Sequence, residues 1–391
     1  MTYRITTAVA LLTLAFLSTA GCAGSSSGSV GPAAVETSPL ATPPRELSEY
    51  DQPLTQSTLR ETALKILEDA AFDDSPLLRA NAIESLQSVP HRAGPIVRAA
   101  LTDSNAGVRF AALMSIGKLR LHETSRFIAP LLDDRDPRVR MAAIYALTRL
   151  DEPVDQNPLA EYLLTGESSV RSQAAFILGE IGNPSAIPLL HDTAMPPQKP
   201  VWDATNPPRA KARRIDQTIF RLQTAEALYK LGETDVRDVI HSALYPAAQD
   251  DMEAAVLAAQ ILGEIRDETA IRQLVELIEQ PSPDSPDTDD PRRKVFLQPI
   301  ELRLAAATAL AKMGEVGGVY VADSALTSPN PAVRAQASFL YEAAARARDR
   351  SVHGRSARRL DLAKLESLMG DPNPMVRVSV ASGLLRALES R

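Results

Sequence analysis

The stretch DPRVRMAAIYALTRL, Asp136–Leu150, decides the fold. It opens on an Asp-Pro step; aspartate caps helices and proline suits a first helical position. Val139, Ala142, Ala143, Ala146 and Leu147 then return at three- and four-residue spacing, as one helical face requires. The same design is written again as SPLLRANAIESL (Ser75–Leu86), NAGVRFAALMSI (Asn105–Ile116), SSVRSQAAFILGEIG (Ser168–Gly182) and FRLQTAEALYKLG (Phe220–Gly232). It continues as AAVLAAQILGEI (Ala254–Ile265), LRLAAATALAKMG (Leu302–Gly314), NPAVRAQASFLY (Asn330–Tyr341) and NPMVRVSVASGLL (Asn373–Leu385), which makes nine copies.

The copies align on Arg79, Arg109, Arg140, Arg171, Arg221, Arg303, Arg334 and Arg377, with Ala255 in the arginine's place in the sixth. The steps from Arg79 to Arg109, Arg109 to Arg140, Arg140 to Arg171 and Arg303 to Arg334 are 30 or 31 residues. Asp73, Asp103, Asp134 and Asp371 stand six residues before an arginine and read as acidic helix-start signals. An alanine usually follows the arginine by three residues and a large apolar residue by seven, so small side chains let neighbouring copies approach. Gly182, Gly232 and Gly314 read as helix ends. A second apolar helix follows, as in DETAIRQLVELIEQ (Asp267–Gln280).

This pattern resembles the short HEAT repeats called PBS-lyase HEAT-like repeats, with an Asp-Pro turn, a Val-Arg pair, an alanine-rich first helix and a leucine-rich second one. The resemblance covers roughly residues 73–391, and PLTQSTLRETALKILEDAAF (Pro53–Phe72) reads as a lone second helix that caps the array. It implies an all-α fold, a right-handed α-solenoid of about nine helix pairs over residues 54–391. One pair cannot bury its own apolar face, so stacking is required. The expected binding surface is concave and lined mainly by second helices. The arginines are expected to bridge neighbouring turns, a structural role, and the copy with Ala255 to be a weak link.

Three segments break the period. Met195–Arg214 holds the sole tryptophan, Trp202, with Lys199, Arg209, Lys211, Arg213 and Arg214. An aromatic among basic residues suits a binding hot spot. Pro281–Leu297 is rich in aspartate and proline, and Ala345–Leu360 in arginine. Read as loops, the first two join one copy to the next; the third joins the two helices of one copy, so it leaves the opposite edge.

Aromatics make up 4% of the 391 residues and the formal charge is −7, which argues against a generally basic, nucleic-acid-binding surface. Cys22 is the single cysteine, so neither an internal disulfide nor a cysteine zinc site can form. It follows a charged residue, Arg4, and a short apolar run, Ala8–Leu17. Residues 1–21 resemble a bacterial lipoprotein signal that leaves Cys22 as an acylated N-terminus. Ala23 then favours, by resemblance, an exported protein on an outer membrane facing the periplasm, where the cell has two membranes. Residues 22–53, rich in Ser, Gly and Pro, read as a disordered tether with a reach on the order of 30 Å.

His191 and His241 each stand 20 residues after their copy's arginine, at equivalent places near the root of the Trp202 segment, and join it as candidate binding residues; with Asp192 as the one further ligand in reach, the set is too small for a metal. Two enzyme families use similar repeats, the deoxyhypusine hydroxylases and the phycobilin lyases. The sole His-Glu pair here is His122-Glu123, so the ligand set of the first is missing, and an exported lipoprotein suits the second badly. The expectation is a non-enzymatic adaptor without metal or cofactor, anchored to a membrane by lipid and binding another envelope protein. Recognition of a cell-wall polymer through Trp202 is the alternative.

Overall fold

The computed structural model describes residues 52–194, 207–245, 252–279, 298–349 and 355–389. The signal segment, Cys22, most of the tether, Lys199, Trp202 and the segment 281–297 lie outside the described residues. The helices are α1 (Pro53–Ala70), α2 (Pro76–Ser85), α3 (Pro90–Ala100), α4 (Ala106–Leu119), α5 (Pro137–Arg149) and α6 (Asn157–Thr165). They continue as α7 (Ser168–Ile181), α8 (Ile187–Ala194), α9 (Pro207–Lys230), α10 (Arg237–Ser242), α11 (Met252–Ile265) and α12 (Ile271–Glu279). The last are α13 (Ile300–Met313), α14 (Tyr320–Ala325), α15 (Pro331–Asp349), α16 (Arg355–Leu368) and α17 (Pro374–Glu389). In the second copy two 3₁₀ segments, His122–Phe127 and Ala129–Asp133, replace the second helix.

The first helices of the nine copies are α2, α4, α5, α7, α9, α11, α13, α15 and α17. Each packs on the next, and α17 packs back on α2. The all-α solenoid therefore closes into a ring. The ninth first helix takes its second-helix partner from the other end of the sequence, because α1 lies along α17. What reads in the sequence as a cap is the piece that seals the ring.

Closure revises the expected concave surface. The first helices form the crowded inner layer: from Val108 to Gly117 of α4 every residue but Arg109 is buried, and from Ala254 to Glu264 of α11 every residue but Gln260. The second helices stand outside and barely touch one another. The physical reason is residue size. Alanine and glycine let the first helices approach, so curvature tightens on their side. A Cβ on Gly179 would lie 2.7 Å from Ala227 Cα, and one on Gly263 would lie 2.7 Å from Ala309 Cα. Gly179→Ala is expected to cost about 1–3 kcal/mol by overpacking. Urea denaturation checks this; an unchanged midpoint would show that the contact yields freely.

Arginines lace the N-terminal ends of these helices. Arg79 donates twice to Asp103, Arg109 twice to Asp134 and Arg334 twice to Asp371, at 2.7–2.9 Å. Each also reaches a carbonyl six residues back in its own turn, Asp73 O, Asp103 O or Ser328 O. Arg140 donates to the Tyr162 hydroxyl, Arg171 to Leu163 O beneath the Phe220 ring, and Arg303 to Ile278 O. The aspartates are thus receivers for the preceding copy. The caps stand two residues later, where Asn105 and Asp136 accept from Gly107 N and Arg138 N. Eleven residues after the alignment position the chain turns left-handed in six successive copies, at Arg120, Asp151, Gly182, Gly232, Arg266 and Gly314. Three of these are non-glycine residues that bear the strain of that geometry.

The contact between α9 and α11, where Ala255 replaces the arginine, is slighter among the described residues than either flanking contact. Two insertions expected as loops are helical where they are described. α9 begins at Pro207 and so contains Arg209, Lys211, Arg213 and Arg214, since two prolines followed by alanine, lysine and arginine form a good first turn. α15 runs on to Asp349 and α16 starts at Arg355, so the arginine-rich insertion mostly lengthens two helices.

Candidate functional site

At the C-terminal ends of the first helices, side chains five, eight and nine residues after the alignment arginine converge. Lys230 Nζ lies 2.6 Å from Glu180 Oε1 and 2.7 Å from Glu226 Oε1, with the Phe176 ring beside it. Lys312 pairs with Glu264. Arg386 donates twice to Glu342 at 2.7 Å, and Arg346 joins the same carboxylate at 3.3 Å. Glu264 acts electrostatically on Lys118, Glu226 and Arg386, groups from the second, fifth and ninth copies, so this hub gathers distant parts of the ring. Burial would depress the Lys230 ammonium, but Glu226 and Glu180 outweigh it and hold it above the usual lysine range. Burial likewise pushes Glu342 up, yet Arg386 overcomes it and holds the carboxyl below the usual range.

The second copy breaks the alternation. Lys118 occupies the place held by Glu180 and Glu264 in the fourth and sixth copies, and its Nζ is buried without a hydrogen-bond partner among the described residues. Burial pushes it down to about 7, and pushes the neighbouring Glu84 up to about 8 against the pull of Lys118. Sequence reasoning missed the hub. The signal was present: Gly-Glu at 179–180 and 263–264 alternates with lysine at 230 and 312.

The rim carries a different arrangement. Two adjoining clefts of about 380 Å³ each lie along the outer elements of the fifth and sixth copies. One is lined by Thr234, Asp235, Arg237, Asp238, His241 and Thr269, the other by Tyr245, Thr269, Arg272, Gln273 and Glu276. His241 Nε2 lies 2.8 Å from Asp267 Oδ2, which also accepts from its own turn through Thr269 N to Oδ1 at 3.1 Å. His191 does not share this site: its Nε2 faces Glu233 Oε2 at 3.9 Å. The two histidines stand at equivalent places, each against a carboxylate of the next copy, and among the described residues no group of three or more His, Cys, Asp or Glu could hold a metal. Burial tends to raise Asp267, but hydrogen bonds from Thr269 and His241 prevail and hold it below the usual range. Trp202 and Lys199 lie outside the described residues; Arg213 and Arg214 sit on the first turns of α9 and are not part of either cleft.

Residues 60–148 and 95–175 match the model of HEAT repeats, and residues 170–193 match the PBS lyase HEAT-like repeat. The chain carries HEAT repeats. No curated protein sequence matches it. Among solved structures, the HEAT ring is similar to the complex of CpcE and CpcF of phycocyanin lyase from Nostoc sp. PCC7120, at 18% identity over 74% of this chain and 99% of that one, with a TM-score of 0.37. It is also similar to human deoxyhypusine hydroxylase in complex with glycerol, at 16% identity over 75% and 99%, TM-score 0.35. An engineered protein aligns at 17% identity over 88% and 96%, TM-score 0.30. Likenesses this loose bear neither on activity nor on its absence.

Proposed function

We propose that the chain is an exported, lipid-anchored HEAT scaffold that binds another envelope protein and performs no chemistry of its own. The observation that carries this reading is where the apolar surface lies. The exposed large hydrophobics of the described residues, Phe127, Leu164, Tyr245, Val275, Tyr320 and Leu360 among them, all belong to the outer elements and their adjoining turns. The inner helices are consumed in holding the ring. An outward layer of scattered apolar side chains among charges is the composition of a non-obligate protein interface. Cys22 at the signal-like box and the tether after it support anchoring, with the tether leading straight into α1. In a cell with two membranes the reading places the ring on the outer membrane, facing the periplasm.

Cys22→Ser is expected to move the protein from the membrane fraction to the soluble envelope fraction; continued membrane attachment would end the lipid-anchor reading. Cross-linked affinity capture from intact cells then compares the whole chain with one lacking residues 195–214. A partner recovered with the first alone assigns recognition to the Trp202 segment. The same partner recovered with both assigns it to the outer helices. Binding only to purified cell wall would replace the protein-scaffold reading with the polymer reading.

A further inference from the structure

We propose that the junction between the fifth and sixth copies is a hinge built into the ring, at which α9 and α11 part while His241 and Asp267 hold the outer elements together. Three devices that lock inner helices at other joints are missing at this one among the described residues. The first is close approach. Eight residues after the alignment position stand Gly117, Gly179 and Gly263, and each brings the next first helix into contact. A Cβ added there would lie 2.5 Å from Tyr145 Cε1, 2.7 Å from Ala227 Cα or 2.7 Å from Ala309 Cα. The fifth copy carries Tyr229 at that position, partly buried against the core. A tyrosine holds apart what a glycine brings together, and the α9–α11 contact is correspondingly slight.

The second device is the lace. Arg221 is the residue that would tie the fifth copy to the sixth, as Arg79 and Arg109 tie theirs to the copies that follow. Its Nε is buried and has no hydrogen-bond partner among the described residues. The third is the hub, whose ion pairs join copies two by two. Lys230 with Glu180 joins the fourth and fifth, Lys312 with Glu264 the sixth and seventh, and Arg386 with Glu342 the eighth and ninth. Across the joint between the fifth and sixth, Glu226 and Glu264 act on each other as like charges. What holds this joint lies on the outside. His241 on α10 meets Asp267 at 2.8 Å, and Asp267 is itself fixed in the sixth copy by Thr269 N and Thr269 Oγ1. Tyr245 adds its hydroxyl, 3.4 Å from Glu276 Oε2. At the preceding joint the equivalent pair, His191 and Glu233, is 3.9 Å apart. A joint slack within and bonded without turns about its outer edge, so the ring flexes there first.

Amide exchange of the whole chain is the test. Residues 222–230 and α11 are expected to exchange at least about tenfold faster than α4 and α13, as a local opening below the global one requires. His241→Leu removes the outer bond and is expected to quicken exchange in α10 and α11 by about a further tenfold, the loss of one hydrogen bond to a charged group, while α4 and α13 stay unchanged. Spin labels give a second reading in a Cys22→Ser chain. The pair Leu164→Cys and Tyr320→Cys, both exposed, spans the joint; the pair Tyr320→Cys and Leu360→Cys does not. The first distance distribution is expected to widen with His241→Leu and the second to keep its width. Exchange in native α9 and α11 no faster than in α4 and α13 overturns the proposal, and this outcome needs no substitution to fold. So does a distribution between positions 164 and 320 that His241→Leu leaves unchanged.

Discussion

Glu342→Ala is expected to destabilise the ring by about 3–5 kcal/mol, the loss typical when one partner of a buried ion pair is removed. Glu342 is 7% exposed and accepts two hydrogen bonds from Arg386 and one from Arg346. Without it, the largely buried Arg386 guanidinium loses its partner and is left beside Arg346, which is partly open to solvent. Replacing the pair together by Glu342→Leu and Arg386→Met should recover most of the loss, since an apolar pair of similar volume needs no counter-ion. The pH dependence follows from the direction of the shift. Arg386 holds the Glu342 carboxyl below its ordinary value of 4.5. The stabilisation is therefore complete above about pH 5 and is lost as pH falls through the lower folded value. Urea midpoints between pH 7 and pH 3 should fall more steeply for the native chain than for the alanine variant. Parallel profiles would mean that Glu342 is not ionised against Arg386.

The second large effect concerns the seal. Leu59, Ala63, Leu64, Leu67 and Ala70 make the buried face of α1, and Leu67 is fully buried. Leu67→Ala is expected to cost about 2–5 kcal/mol through lost transfer energy and the cavity left behind. Its signature is where the loss appears. In an open array a defect loosens the neighbouring copies. Here α1 lies on α17, so amide exchange should quicken in residues 374–389 as much as in residues 53–70, while α7 keeps its protection. Acceleration confined to α1 and α2 would show that the ring does not stay closed in solution.

Much of this is legible in the sequence, and the limits have physical causes. The first helices announce themselves because every copy must bury the same face, which forces the same alanines and leucines at the same spacing. The lacing arginines are visible for the same reason; their acceptors are less so, since Asp103 serves Arg79 from a different copy and the tyrosine that serves Arg140 is not an acid at all. Closure is not written at any one residue. It is the sum of small rotations between copies, and only the lone second helix at Pro53–Phe72 hints that a partner waits elsewhere. The arginine-rich insertion was misread as a loop because charge density looks solvated, whereas Arg346 turns to Glu342 and Arg358 to the Ala387 carbonyl of α17.

The seal also sets an order of events. Asn81 on α2 meets Met375 on α17 across 294 positions, whereas other neighbouring copies meet across about one repeat. Bringing such distant points together in a flexible chain costs roughly 2 kcal/mol more than joining points one repeat apart, by the logarithmic growth of loop-closure entropy. Copies added one upon the next arrive already curved, so the final joining becomes the docking of two finished surfaces. Synthesis delivers α1 first and α17 last. Until the last helix arrives, the apolar face of α1 stays uncovered, and the half-made ring is the form most open to misassociation or proteolysis. A chain that ends before α17 would keep all its other copies and still remain in that exposed form.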